Sequence, residues 1–246
     1  MKFKHVPRLY VDYCNLNKGD KVILSPEHYN HIIKVFKKKI NDDIKLFCNG
    51  NEFNAKILEI SKKNATLIIE NIIRSENITN NSLTLLCAVT KPDIIENIIH
   101  KTTELGIDNI NFIKTSFCKH NQINFNRIKK IAISATQQSE RLFIPTIEEK
   151  IFNINDIDIF KEYKLIYCDE KADNSCNNIK SLFQKNVFNK DSKYIILIGP
   201  EGGFSQEERE FLYNKEFCFP VTLGKYILKV ETATIASISQ INLFLD

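Results

Sequence analysis

Apolar and polar positions along this chain keep two different rhythms. Over residues 1–74 the apolar residues come in short β-branched or alternating runs, at 20–25 (DKVILS), 43–49 (DIKLFCN), 52–60 (EFNAKILEI) and 64–71 (NATLIIEN). Polar turns part them, and the Asn-Gly pair in CNGNE is a hairpin signal. One helix is expected to interrupt them near PEHYNHIIKVF, where Pro26 suits the first turn. Short strands at this spacing predict a small β-barrel. The stretch at 75–82 (SENITNNS) is polar and aperiodic and reads as a linker.

From residue 83 the rhythm becomes strand, helix, strand. Continuous apolar runs at 83–90, 109–115, 164–169, 193–199 and 218–223 predict strands, and amphipathic stretches at 92–105, 126–140, 176–186, 205–214 and 231–244 predict helices. Apolar strands alternating with helices predict a parallel sheet covered on both faces, hence an α/β domain over 83–246. No apolar run reaches the roughly 20 residues that span a bilayer, and the N-terminus lacks the apolar core of a signal peptide. A cytoplasmic protein without a membrane partner is expected.

Composition changes this picture in two places. The seven cysteines (14, 48, 87, 118, 168, 176 and 218) are scattered, with no CxxC pair, so reduced packing thiols are expected and no metal site. The net charge of +4 is unevenly spread: residues 1–74 carry +6 and the remainder −2. A basic N-terminal part suggests a polyanionic partner.

Glycine is scarce, yet three of the seven fall within five residues, in the IGPEGGF stretch at the carboxyl end of the 193–199 strand. Ligands of open parallel sheets bind at such ends. Ser205 and Glu208 form an S-x-x-E capping box opening the next helix. Neither a Walker loop nor a Rossmann fingerprint is present. Glu201 within the loop would repel a phosphate and suits a neutral or cationic ligand, such as a sulfonium. A second loop, TLGKYILKVE, holds Gly224 after another strand. The two loops are expected to share one pocket.

LIGPEGGFSQEE together with LGKYILKVETA resembles the signature pair of the RsmE family of ribosomal RNA small-subunit uridine-N3 methyltransferases, of the SPOUT class. PRLYVD at 7–12, HIIKVFKKKINDDIKLFCNG at 31–50, KPDIIENIIHKTTELGI at 91–107 and QQSERLFIP at 137–145 follow in the family's order. The likeness runs over essentially the whole chain. Lys37 and Lys229 stand where the family usually has Arg, Gln137 where it has Glu, and Asn41 where it has Gly; Lys cannot reproduce the planar fork of Arg.

The resemblance implies a SPOUT domain with a deep trefoil knot, a PUA-like N-terminal barrel, a homodimer, and S-adenosylmethionine as methyl donor. It places the cofactor against Leu197, Ile198, Gly199, Pro200, Glu201, Gly202 and Gly203 in the first loop and Leu223, Gly224, Ile227 and Leu228 in the second. The partner it implies is 16S ribosomal RNA or the small subunit, contacted by Arg8, Lys34, Lys37, Lys38, Lys39, Gln138, Arg141 and Lys229. Arg141 would position or stabilise the uracil. Glu231 and Glu201 are candidates for the proton acceptor, each with a purely structural reading beside it. A non-catalytic RNA-binding factor on the same fold, and a SPOUT enzyme acting on another RNA, stay open.

Overall fold

The structure, a computed structural model, describes residues 6–13, 15–77, 82–169 and 178–245. Cys14 and Cys176 lie outside the described residues. By its backbone contacts the chain forms two units: Met1–Ile78 with Thr136–Phe143, and Thr79–Ala135 with Ile144–Asp246.

The N-terminal unit is a five-stranded sheet of β1 (Arg8–Tyr10), β2 (Lys21–Ile23), β3 (Asp43–Cys48), β4 (Asn51–Ile60) and β5 (Ala65–Ser75), in the order β1-β3-β4-β5-β2. β1 runs parallel to β3, and the other pairs are antiparallel. Alternation sends Leu46, Phe53, Ile57 and Leu67 inward onto Leu9, Val22 and Ile44. Register shifts at Glu52/Phe53, Asn54/Ala55 and Ile57/Glu59 bend the long β4–β5 ribbon, as a small barrel-like sheet requires. The Asn-Gly signal is realised: Asn49 and Gly50 both take positive φ, 45° and 77°, between β3 and β4. Gly50 is also forced by space, since a Cβ there would lie 2.4 Å from the Phe143 ring and 2.5 Å from the Glu76 carbonyl. The helix expected near Pro26 is α1 (Pro26–Tyr29), capped by the Ser25 hydroxyl and continued by a π-helical turn over Asn30–Val35.

The C-terminal unit is a six-stranded, wholly parallel sheet. Its strands are β6 (Leu83–Ala88), β7 (Asn109–Lys114), β8 (Thr146–Asn153), β9 (Lys164–Cys168), β10 (Tyr194–Ile198) and β11 (Cys218–Val221), ordered β11-β9-β10-β6-β7-β8. Successive residues of β6 and β10 point to opposite faces, and both faces are apolar. Leu85, Cys87, Ile196 and Ile198 join one core, and Leu86, Ala88, Ile195 and Leu197 the other. That double burial is why these strands read as near-continuous apolar runs. The first core is closed by α2 (Pro92–Glu104), α3 (Phe125–Gln138), α4 (Ile179–Gln184) and α6 (Val230–Leu245). The second is closed by α5 (Gln206–Tyr213) and a 3-10 segment, Ile154–Phe160. The Asn242 side chain donates to the Leu105 carbonyl at 2.7 Å and ties α6 to the end of α2.

Three elements depart from the sequence pattern. β1 and β8 are strands that the pattern does not announce, and α3 ends in a segment that packs with the N-terminal unit, although 83–246 reads as one continuous domain. Among the described residues no helix is long and apolar enough to cross a membrane.

Candidate active site

The chain's glycine-rich stretch connects the buried strand β10 to α5. Gly203, at φ +68°, donates its N–H to the Pro200 carbonyl at 2.9 Å and closes a tight turn. A Cβ on Gly199 would press on the buried Phe204 ring at 3.2 Å, and one on Gly202 would meet Phe117 Cβ at 3.0 Å. The turn is therefore wedged between two aromatic rings and keeps its shape. Ser205 and Glu208 form the expected capping box, with Ser205 N–H donating to Glu208 Oε2 at 2.8 Å and Glu208 N–H to Ser205 Oγ at 3.2 Å. Glu208 is buried and does more than cap. Its Oε1 accepts from the Ser116 N–H at 2.7 Å and the Ser116 hydroxyl at 3.0 Å, bracing the loop after β7 against the glycine turn.

A cleft of about 620 Å³ opens at the carboxyl ends of β9, β10 and β11, within the usual size of small-molecule sites. Both expected loops line it. Ile198, Gly199, Pro200, Glu201, Gly202 and Gly203 come from the first, and Leu223, Gly224, Ile227 and Leu228 from the second, with Lys229 and Glu231 following. Leu197 does not line it, because the alternation of β10 turns its side chain into the opposite core. Arg141 and Gln138 are not in the lining either. Gly224, at φ +141°, has no atom within 4 Å of where a Cβ would sit. Its backbone faces open space, and Thr222 Oγ1 holds it through bonds to both its N–H, at 3.4 Å, and its carbonyl, at 3.0 Å.

Charges of both signs ring the cleft. Glu201 is an anion at neutral pH. Burial pushes its carboxyl up, but its own backbone N–H, the Thr90 hydroxyl, Lys91 and His120 together hold it below the ordinary 4.5. The buried Thr90 hydroxyl meets no partner at hydrogen-bonding geometry among the described residues. Asp169, at the end of β9, is a lining residue that sequence reasoning missed. Its carboxylate accepts from Arg209 Nε at 2.9 and 3.1 Å, a pairing across 40 residues that no local pattern announces. Cys168 also lines the cleft, and burial pushes its thiol up to about 12. Lys91 and Lys225 supply positive charge. The Lys101–Glu104 pair is the ordinary intrahelical contact its spacing suggests, at 3.0 Å, and Glu104 also reaches His100 at 3.2 Å. Among the described residues no group of three or more His, Cys, Asp or Glu is placed to hold a metal ion.

The basic residues of the N-terminal unit sort into two kinds. Lys34, Lys37 and Lys39 are exposed on and after the π-helical turn, with Lys37 at φ +52°. Lys38 and Arg8 are not available as the sequence suggests. Lys38 is 8% exposed, because the left-handed Lys37 turns the chain so that Lys38 N–H bonds the Ile32 carbonyl and its side chain goes inward. The Arg8 side chain is buried against Glu52 and the Phe47 ring; its Nε donates to the Glu52 carboxylate and its Nη1 and Nη2 to backbone carbonyls. Neither is placed as an RNA-backbone contact.

Comparison with known proteins places this geometry in context. Residues 77–242 match the model of an RNA methyltransferase domain, and 24–70 that of an RNA methyltransferase PUA domain. The chain is 35% identical to the ribosomal RNA small subunit methyltransferase E of Rickettsia conorii, covering 96% of this chain and 95% of that one. It is 30% identical to the protein of the same name from Buchnera aphidicola of Acyrthosiphon pisum, covering 97% and 94%. Among solved structures, a methyltransferase of Legionella pneumophila in complex with bound SAM superimposes with a TM-score of 0.82 at 23% identity, covering 97% and 98%. The Neisseria gonorrhoeae ribosomal RNA small subunit methyltransferase E, bound to S-adenosyl methionine, gives 0.81 at 24% identity with the same coverage.

Proposed function

The chain belongs to the RsmE family of ribosomal RNA small-subunit methyltransferases, and from that premise we propose that it methylates N3 of a uridine in 16S ribosomal RNA, using S-adenosylmethionine. The observation that carries the reading is the shared cleft: two glycine-bearing loops, about 20 residues apart in sequence, line one cavity at the strand ends. The donor set fits this cofactor. Open backbone at Gly224 and the carboxylates of Asp169, Glu201 and Glu231 beside Lys91, Lys225 and Lys229 suit a zwitterion that also carries a sulfonium.

When bound, the cofactor supplies an activated methyl group, so the protein has to orient the acceptor, exclude water and manage one proton. Glu201 contributes negative charge. Its depressed pKa makes it a weak base, and general bases work best near the operating pH. The uridine N3 proton is assigned to Glu231, which lies in the cleft at the first turn of α6. Gln138 and Arg141 orient the uracil or a neighbouring phosphate. Lys34, Lys37 and Lys39 take the RNA backbone, and Lys229 a phosphate at the cleft mouth.

A second copy completes the enzyme in this reading. Ile227 on the second loop and Leu243 on the last turn of α6 expose 84% and 80% of their surface, apolar area that a second copy would cover. The trefoil knot belongs to the same reading, with β10 lying between β6 and β9 and β11 outside β9. A cytoplasmic location is part of the same proposal, since its substrate would be the small ribosomal subunit.

Calorimetric titration with S-adenosylmethionine, followed by methyl transfer to undermethylated small subunits, tests the proposal. Glu231→Gln is expected to lower the rate about a hundredfold, within the usual range for a general base, and to leave cofactor affinity within about twofold. Cofactor binding without any transfer would favour a non-catalytic RNA-binding factor.

A further inference from the structure

The N-terminal unit contains a buried ionic cluster that the chemistry above does not use. Arg8, at the start of β1, has a side chain only 7% exposed. Its guanidinium lies over the Phe47 ring at 3.7 Å. Nε donates to Glu52 Oε1 at 2.5 Å, Nη1 to the carbonyls of Thr136 and Gln137 at 3.0 and 3.3 Å, and Nη2 to the Arg141 carbonyl at 2.6 Å. Around this fork the same short segment is held at further points. Arg74 Nη2 donates to the Glu140 carbonyl, the Gly50 N–H to the Leu142 carbonyl at 3.4 Å, and the Tyr10 N–H to Gln137 Oε1 at 3.1 Å. Glu140 sits at φ +59°, so the chain bends sharply inside the segment.

Burying a guanidinium and a carboxylate is costly, and apolar replacements of such pairs are often no less stable. What the planar fork supplies is direction. Its donors lie in one plane at fixed angles, so three carbonyls bonded to it fix the path of the backbone between Thr136 and Arg141. That stretch carries Gln138 and Arg141, the two residues assigned above to orient the RNA.

We propose that Arg8, held by Glu52, is a positioning residue: it sets the path of residues 136–142 and through it the aim of Gln138 and Arg141, without touching RNA itself. The inference rests on the methyltransferase reading and deepens it.

A double-mutant cycle tests it. Arg8→Lys keeps the charge and loses the fork, and Arg141→Ala removes the side chain being aimed. Steady-state methylation of small subunits is measured for wild type, each single variant and the double variant, with cofactor affinity and thermal unfolding alongside. The expected result is a loss of about tenfold in kcat/KM for RNA on Arg8→Lys, with cofactor affinity within twofold. In the Arg141→Ala background the same change should cost less than threefold, because residues acting as one unit are not additive. Should Arg8→Lys not fold, Gln137→Leu and Gln137→Glu take its place. The first removes the tie to Tyr10 and is expected to couple to Arg141 in the same way, and the second keeps an acceptor and restores activity. Multiplicative effects in the cycle, or an Arg141→Ala chain as active as wild type, would overturn the inference while the methyltransferase reading stands. A wild-type chain that binds the cofactor and transfers no methyl group would overturn that reading instead.

Discussion

At the scale of single residues, backbone conformation and charge decide the site. Gly203 takes φ +68°, and Gly203→Ala should cost about 1–2 kcal/mol in that conformation, which calorimetry reads as weaker cofactor binding where the turn has shifted. Glu201→Gln should weaken cofactor affinity by at most about fivefold, since exposed charge pairs contribute about 0.2–1 kcal/mol. Because its carboxyl sits below the ordinary value, Glu201 favours the folded state above the unfolded pKa and loses that contribution as pH falls through the depressed one. Its role in the cleft is accordingly expected to be constant across neutral pH. Cys168 is held at about 12, so at pH 8 it is almost wholly a thiol. Alkylation there, followed by peptide mass mapping, should be far slower in the native protein than in urea. The glycines and Glu201 were legible in the sequence because rare residues clustered at a strand end carry information by themselves. Asp169 and the buried state of Arg8 were not, because each depends on a partner far along the chain, Arg209 and Glu52.

At the scale of elements, α5 is set by a carboxylate with two duties. Glu208 closes its capping box and also accepts from Ser116. Glu208→Gln keeps the shape and loses charge-assisted bonds, an effect of about 2 kcal/mol, expected as a fall in Tm of roughly 4–8 °C. Ser116→Ala should reproduce only part of it, because the backbone N–H of residue 116 still donates. The sheet was legible where both faces are apolar: β10 is an unbroken hydrophobic run, and β6 and β9 each carry one polar residue, Thr84 and Lys164. β8 was not, since at the sheet edge its TIEEKIFN stretch buries only Ile147 and Phe152 and exposes Glu148, Glu149 and Lys150 between them. β1, with three residues, is too short to show any period, and its pairing with β3 is parallel and non-local.

At the scale of the whole molecule, the basic N-terminal part and the cleft of the parallel sheet belong to separately packed units, and the proposed reaction needs both. On the proposed assignment of the exposed lysines to RNA phosphates, RNA affinity is expected to be steeply salt-dependent, each contact adding about 0.7–0.9 to the slope of log affinity against log salt. Lys37→Ala should lower that slope by about one such contact, while Lys38→Met should leave it unchanged, because Lys38 is buried. The claim on which the rest depends is that this chain moves a methyl group onto one uridine base of the small subunit. Undermethylated small subunits incubated with the chain and isotope-labelled S-adenosylmethionine, then digested and sequenced by mass spectrometry, test it most directly. The expected product is one labelled methyl on N3 of a single 16S uridine; label on a ribose hydroxyl, on another base, or nowhere in the RNA would contradict it.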